Sequence, residues 1–516
     1  MIGKENFMYT SIISATIDGL NANIVQVEID VSSGLPGFSV IGNVNRQIRE
    51  APDRVKTALH NIQINLPPRR ITVNLSPGDI LKTGTGFELP IAAGILALLE
   101  DIPQKRLENV FLTGEIGLDG QIKGVRGILE MIRLAKEVGC TVCVVPKVNL
   151  EEAQMIEGIL HIGVSNLEEF ILMAKKEEWN EEKVHIKNVE CQEKKIPNFG
   201  DVKSQNSAKR AALLAASGFH NLLLMGPPGS GKTMIAERIP GILPELTKEE
   251  ALELVGIYSI AGVLPQGEPR ILQRPFRSPH HTISPQALAG GGKMPVPGEI
   301  TLAHRGVLFL DELPEMKRST LEILRQPLEE HKIWISRVGG NYCFPSEFLL
   351  VAAMNPCPCG YYPNRNRCNC AQYQIERYLN QISQPLLDRI DLCAETISPS
   401  YEEFRNPQTD MVWTTASMRE MAKRAHEMQT ERFWGENFRF NGEIPVEKIS
   451  RYCVTKPDAE KMLKSAFKNL ELTGRACNRI LKVARTIADL EGEEKIEEIH
   501  MAEAIAYRSI DKRYWK

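Results

Sequence analysis

Gly226, Pro227, Pro228, Gly229, Ser230, Gly231, Lys232 and Thr233 form an unbroken run whose residue types suit a nucleoside triphosphate. Its three glycines let the backbone curl so that N–H groups point inward at phosphate oxygens. Lys232 can reach the β- and γ-phosphates, and the Thr233 hydroxyl can ligate Mg2+. Further along, the apolar run Gly306–Leu310 ends in two carboxylates. Asp311 can hold Mg2+ through water, and Glu312 can orient and polarise an attacking water. A third apolar run, Phe348–Met354, ends at Asn355, which can hydrogen-bond the γ-phosphate or that water.

Thr473–Arg485 reads as the start of a helix. Arg475, Arg479 and Lys482 fall on one face at i, i+4, i+7, while Ile480, Ala484 and Ile487 lie on the other and pack inward. Arg475, at the helix start, is the candidate to touch the γ-phosphate. Arg479 and Lys482 read as a solvated basic face.

Two C-x-C pairs, Cys357/Cys359 and Cys368/Cys370, flank a loop holding Gly360 and Pro363. Four thiolates that close could form a tetrahedral four-cysteine zinc site, structural because no ligand position is left open. The alternative is free thiols. Cys140 and Cys143 are C-x-x-C but lie in an apolar strand, which suits core packing. His280, His281 and His304 have no helical i, i+4 partner and sit among prolines and glycines, so they read as structural or ATP-loop residues.

These groups need elements to hold them. Asn221–Met225 reads as a buried parallel strand and Met234–Arg238 as the start of a helix, the context in which a phosphate-binding loop works. Upstream, Ser14–Asp18, Ile24–Ile29 and Ile71–Leu75 read as strands, with helical patterns over Pro90–Leu99 and Ile128–Val138. The expected domains are a mixed α/β unit over residues 1–172, a charged linker over 173–207, an α/β nucleotide-binding module over 208–399 and an all-helical lid over 400–516.

A chain of 516 residues with 43% hydrophobic and 25% charged residues is an ordinary globular composition of several domains. Net charge −3 excludes a global electrostatic footprint for nucleic acid, so any such contact must come from local basic patches. No apolar stretch approaches the roughly 20 residues of a membrane helix. The start of the chain lacks a signal-peptide pattern, and eleven scattered cysteines suit a reducing compartment, so a cytoplasmic location is expected.

The phosphate loop, the Asp311-Glu312 strand, Asn355 and Leu386-Leu-Asp-Arg-Ile-Asp391 resemble AAA+ ATPases of the magnesium-chelatase and replicative-helicase branch. More narrowly, Arg274–Ser284, Gly290-Gly-Gly292, Pro297–His304 and Ala484–Leu490 resemble the YifB/ComM family of magnesium-chelatase-like proteins, over nearly the whole chain. One departure is Ser204-Gln205, where the family commonly has Gly-Gln. The resemblance implies ATP and Mg2+ as cofactors and a homo-hexameric ring. In such a ring Arg389 would reach the neighbouring subunit's nucleotide; the alternative is a local ion pair with Asp388 or Asp391. Two insertions facing the pore are also implied: one around Ser284–Pro297 with Lys293, the other a β-hairpin over Ile333–Cys343 with Arg337 before a Gly-Gly turn. Rings of Lys293 and Arg337 could track a phosphate backbone.

In the first domain, Thr113–Gly127 and Lys82–Glu88 resemble the proteolytic domain of Lon proteases. That class uses a serine activated by a lysine. Here Gly86 stands at the serine position, and Leu129 and Met131 stand at the lysine positions. Thr85 lies beside the site without an evident base. The expectation is a Lon-like fold without peptidase activity.

The reading is an ATP-hydrolysing ring whose implied substrate is branched or single-stranded DNA, with branch migration in recombination or natural transformation. The first rival is a chelatase-type, protein-remodelling motor without direct DNA action. The second is a non-enzymatic role in which ATP only sets assembly.

Overall fold

The computed structural model describes residues 8–179, 197–264, 271, 273–292, 294–337, 340–398 and 411–515. The chain divides into two compact units, one of residues 1–191 with 248–271 and one of residues 192–247 with 272–516.

The first unit is built on a seven-stranded mixed sheet. Its strands run in the order Gly37–Ile41, Arg70–Ser76, Asn21–Ser32, Met8–Asp18, Val110–Leu112, Val142–Pro146, Leu160–Val164. The long Asn21–Ser32 strand buries Val25, Val27, Ile29 and Val31 at alternate positions, as a half-buried antiparallel strand must. The three strands from Val110 onward pair in parallel and are buried on both faces. The all-apolar helix Glu88–Leu98 is buried along its whole length, whereas Ile128–Glu137 is amphipathic and buries Ile128, Leu129, Met131, Ile132 and Ala135.

The helix Lys248–Ala261 belongs to this first unit although it follows the phosphate loop in sequence. Its Val255 shares an apolar cluster with Ile128, Leu129 and Ile132. The Ser259 hydroxyl accepts a hydrogen bond from the Gly127 N–H at 2.9 Å. Spacing along the chain placed this segment inside a continuous 208–399 module. Its apolar face is instead covered by a segment that lies far from it in sequence.

The second unit holds a five-stranded sheet in the order Phe276–Arg277, Val307–Leu310, Leu349–Met354, Leu222–Met225, Leu392–Glu395. All neighbours are parallel, and the strands are short and apolar, as buried parallel strands are. The helix after the phosphate loop is brief, Lys232–Ala236, and gives way to a 3-10 turn at Ile239–Gly241. Phe199 and Val202, in the stretch expected to be linker, are buried in this unit's core.

The C-terminal part is built from the helices Thr415–Arg432, Pro457–Asn469, Gly474–Glu491 and Glu498–Tyr514. Thr473 caps the third of these by accepting from the Ala476 N–H at 3.2 Å. Ile480, Val483, Ala484 and Ile487 join the same apolar cluster as Leu222, Phe309 and Val351, so these helices share the sheet's core. The solvated basic face expected at Arg479 and Lys482 is not what forms. Arg479 pairs with Asp391 at 2.6 Å, and Lys482 donates to the Gly442 carbonyl at 3.0 Å. Both lie where the helix meets the core, and a charge there needs a partner. Among the described residues no helix is long and apolar enough to cross a membrane.

Candidate nucleotide site

Parallel strands deliver their C-terminal ends to one edge of a sheet, and ligands of open α/β sheets bind there. The strand Leu349–Met354 lies between Leu222–Met225 and Val307–Leu310, so Asn355 emerges between the phosphate loop and Asp311. The consequence is direct contact. Lys232 Nζ donates to the carbonyls of Gly226 at 2.8 Å and Pro227 at 3.0 Å, and to Asn355 Oδ1 at 3.1 Å. Burial pushes the Lys232 ammonium below the usual lysine range, opposed by Asp311 and Glu312. Gly229 and Gly231 take φ of 72° and 86°, the left-handed backbone the turn demands. Ser230 Oγ bonds Thr396 Oγ1 at 2.7 Å, tying the loop to the end of the Leu392–Glu395 strand.

Thr233 Oγ1 donates to Asp311 Oδ2 at 3.1 Å. Two oxygens that close suit a shared Mg2+, which takes oxygen ligands at about 2.1 Å, directly or through water. Glu312 occupies φ 50°, rare for a residue with a side chain, and its N–H donates to Asp311 Oδ1 at 2.9 Å. Its carboxylate faces His281 Nδ1 at 3.1 Å. His281 in turn lies against His280, with ring centroids 4.1 Å apart and the ring planes tilted by 34°. The sequence reads His281 as a structural or ATP-loop residue, and the contact with Glu312 is the part it does not supply. The signal was present but indirect: His281 follows the Phe276–Arg277 strand, which lies beside the Glu312 strand. His304, by contrast, is buried and accepts at Nδ1 from the Glu347 N–H at 3.0 Å.

Arg389 is buried, with Nε donating to the Arg325 carbonyl at 3.2 Å and its guanidinium paired with Glu329. The ion-pair alternative therefore names the wrong partner, since Asp388 faces Arg508 at 3.6 Å and Asp391 faces Arg479. Arg475 is exposed in the first turn of its helix. The hairpin forms, pairing Lys332–Arg337 with Gly340–Pro345 and setting Arg337 opposite Gly340. The exposed Arg337 reaches the Gly292 carbonyl at 3.4 Å, so the hairpin and the Ser284–Pro297 segment meet. Lys293 lies outside the described residues.

The four cysteines converge. Cys357 Sγ lies 3.4 Å from Cys359 Sγ and 3.7 Å from Cys368 Sγ, and Cys359 and Cys368 are 3.6 Å apart. With Cys370 included, all four sulfurs lie within 4.8 Å of one another. A disulfide would need about 2.05 Å. Zinc ligated at about 2.3 Å sets tetrahedral sulfurs roughly 3.8 Å apart. Cys140 and Cys143 are buried in the first unit's apolar cluster, and burial pushes both thiols up.

In the first unit, the Thr85 hydroxyl donates to the Glu115 carboxylate, and Thr113 Oγ1 donates to the Gly86 carbonyl at 3.2 Å. A Cβ at Gly86 would lie 2.5 Å from Thr113 Oγ1, too close for a side chain. Leu129 and Met131 are buried apolar residues. Lys82 is buried with no hydrogen-bond partner for Nζ among the described residues, and burial lowers its pKa.

A parallel sheet with a phosphate loop, a carboxylate pair on the second strand over and an asparagine strand between them defines a P-loop AAA+ module. The comparisons agree. A magnesium chelatase subunit ChlI family model matches residues 198–404, a second ChlI-subunit model matches 27–149, and a ChlI C-terminal model matches 413–508. The chain is 41% identical to competence protein ComM of Haemophilus influenzae, over 95% of this chain and 96% of the relative. It is 40% identical to YifB of Salmonella typhimurium, over 96% of each. Lon protease 2 of Bacillus subtilis is 26% identical over 29% of this chain and 30% of its own length, a match in keeping with the Lon-like unit. The chain belongs to the YifB/ComM family of magnesium-chelatase-like AAA+ proteins.

Proposed function

We propose that this chain is a cytoplasmic ATPase that hydrolyses ATP with Mg2+ and works as a homo-hexameric motor on DNA, moving branched junctions during recombination or uptake of foreign strands. The observation that carries the reading is the meeting of Lys232, Thr233, Asp311 and Asn355 at one sheet edge, with Glu312 beside them. In this reading Lys232 and the loop N–H groups hold the phosphates, Thr233 and Asp311 hold Mg2+, and Glu312 orients the attacking water. Asn355 senses the γ-phosphate. Arg389 exchanges Glu329 for a neighbour's nucleotide when the ring assembles, and Arg475 approaches from the lid. Arg337 and Lys293 line the DNA path. A structural zinc ion sits in the four-cysteine loop. DNA as substrate is supported by the ComM relative, whose name marks a competence protein. The first unit acts without peptidase chemistry.

A net charge of −3 favours one second reading, a motor that remodels a protein partner. The deciding experiment is ATPase rate and strand exchange on a synthetic four-way junction, beside single-stranded and duplex DNA. Junction migration that needs ATP and is lost in Lys232→Ala and Glu312→Gln is the expected result. ATPase activity indifferent to every DNA form would transfer the reading to a protein substrate.

A further inference from the structure

The four-cysteine loop leaves the sheet next to the phosphate loop. The Gly226 N–H donates to the Met354 carbonyl at 3.2 Å, Asn355 follows and bonds Lys232, and Cys357 comes two residues later. At the loop's first turn the Gly360 N–H donates to the Cys357 carbonyl at 2.9 Å. Gly360 has φ 84°, and a Cβ there would stand 2.4 Å from Pro228 Cδ and 3.0 Å from Pro228 Cγ. The proline ring of the phosphate loop therefore rests directly on the backbone of the cysteine loop, at a spacing only glycine permits. The loop's far end also returns to the site. The helix Gln372–Leu379 follows Cys370, and its Tyr378 hydrogen-bonds the Asn355 backbone.

Nothing within the loop supplies a core of its own. Between the cysteine pairs stand Gly360, Tyr361, Tyr362, Pro363, Asn364, Arg365, Asn366 and Arg367, and of these only Gly360 is buried. The arginines lie over tyrosine rings, Arg367 on Tyr361 at 4.5 Å and Arg365 on Tyr362 at 5.0 Å, which orders the surface without burying it. The Tyr362 N–H donates to Cys357 Sγ at 3.4 Å, which ties the middle of the loop to its first sulfur. A segment with so little apolar burial takes its shape from a cross-link, and four converging sulfurs provide one when a metal joins them.

We propose that the Cys357–Cys359–Cys368–Cys370 site is a metal clamp on the phosphate loop: zinc bound there fixes Gly360 against Pro228 and thereby holds the loop in its nucleotide-binding shape. The inference rests on the ATP and zinc readings above and adds a dependence between them. Metal occupancy controls nucleotide affinity, although no cysteine touches nucleotide.

The test uses the full chain, zinc content by plasma mass spectrometry, affinity for a fluorescent ATP analogue, and far-UV circular dichroism. Wild type should carry about one zinc per chain. The double variant Cys359→Ser/Cys370→Ser should lose zinc and bind the analogue at least about tenfold more weakly with its helix content unchanged. Gly360→Ala keeps all four thiolates, so it should retain zinc and still lose about fivefold or more in affinity, because Pro228 must move. Wild type without zinc would overturn the metal reading and the clamp together. Zinc that is present in wild type and lost in the cysteine variant, with affinity unchanged, would overturn the clamp alone. So would Gly360→Ala with zinc and affinity both intact, a result that counts even if the cysteine variant fails to fold. Wild type that does not bind the analogue would overturn the ATP reading and leave nothing to clamp.

Discussion

Each unit carries a glycine turn that contains a lysine and leads into a helix, and the two turns have different company. In the second unit Lys232 finds Asn355 and two loop carbonyls, with Thr233 on Asp311. In the first, Lys82 Nζ has no hydrogen-bond partner among the described residues, the Thr85 hydroxyl is taken by Glu115, and Leu129 and Met131 fill space with apolar side chains. Locally the turns are comparable. What separates them is what distant strands and helices bring to the turn. A parallel sheet presents several strand ends at one edge, so a reacting group there acquires partners. Helix Ile128–Glu137 is instead packed into a core, with Val255 of Lys248–Ala261 in the same cluster.

The largest effects should come from the second turn. Lys232→Ala should abolish detectable binding of a fluorescent ATP analogue. Glu312→Gln should bind it and lower the hydrolysis rate by about a hundredfold or more, read in a coupled ATPase assay. Normal turnover in either variant would break the contrast between the turns.

Leu129→Lys tests the opposite side. Restoring a lysine type to that helix should create no peptidase, because Gly86 has no side chain and no room for one. It should destabilise the first unit by about 2 kcal/mol or more, since an ammonium replaces a fully buried apolar side chain. Denaturant unfolding of the variant measures the cost, and a casein assay checks the absence of cleavage.

A smaller effect distinguishes the second unit by pH. His220 and His426 are buried there, and burial lowers both imidazoles to about 4. Nε2 of His220 bonds Thr486 Oγ1 at 2.7 Å, with Asp391 at 3.9 Å and Arg479 and Lys482 adding opposing charge. Both rings stay neutral in the fold while the unfolded chain takes up protons below about 6.5. Their contribution is therefore complete above that pH and is lost as pH falls toward about 4, by roughly 2–3 kcal/mol each at the bottom of the window. His220→Gln should flatten the pH dependence between those values in denaturant unfolding followed by a probe in the second unit. An unchanged slope would place the acid sensitivity elsewhere.

The smallest expectation is for Thr85→Ala, which should change ATPase rate by less than about twofold, with no casein cleavage before or after substitution. Cleavage by the wild type that the variant lost would overturn the distinction between the two turns altogether.

The residues of the candidate nucleotide site could be named from the sequence because their signals are local. Gly226–Thr233, Asp311-Glu312 and Asn355 each sit at the end of an apolar run, and the cysteine pairs declare themselves by spacing. The unread parts involve partners distant in sequence. Glu329 holds Arg389, His281 meets Glu312, and Asp391 draws Arg479 out of a solvated face. The helix Lys248–Ala261 was misplaced for the same reason, because an apolar face says that it must be buried but not against what.

The sequence by itself determined the strand, turn and helix around each reactive group, since backbone preference and apolar period act over a few residues. It also determined which chemistry each turn could attempt. The tertiary structure alone decided which turn has partners, by setting the strand ends of one unit side by side and burying the matching positions of the other. It also decided that Pro228 rests on Gly360, because close approach between two loops depends on how the sheet aligns them.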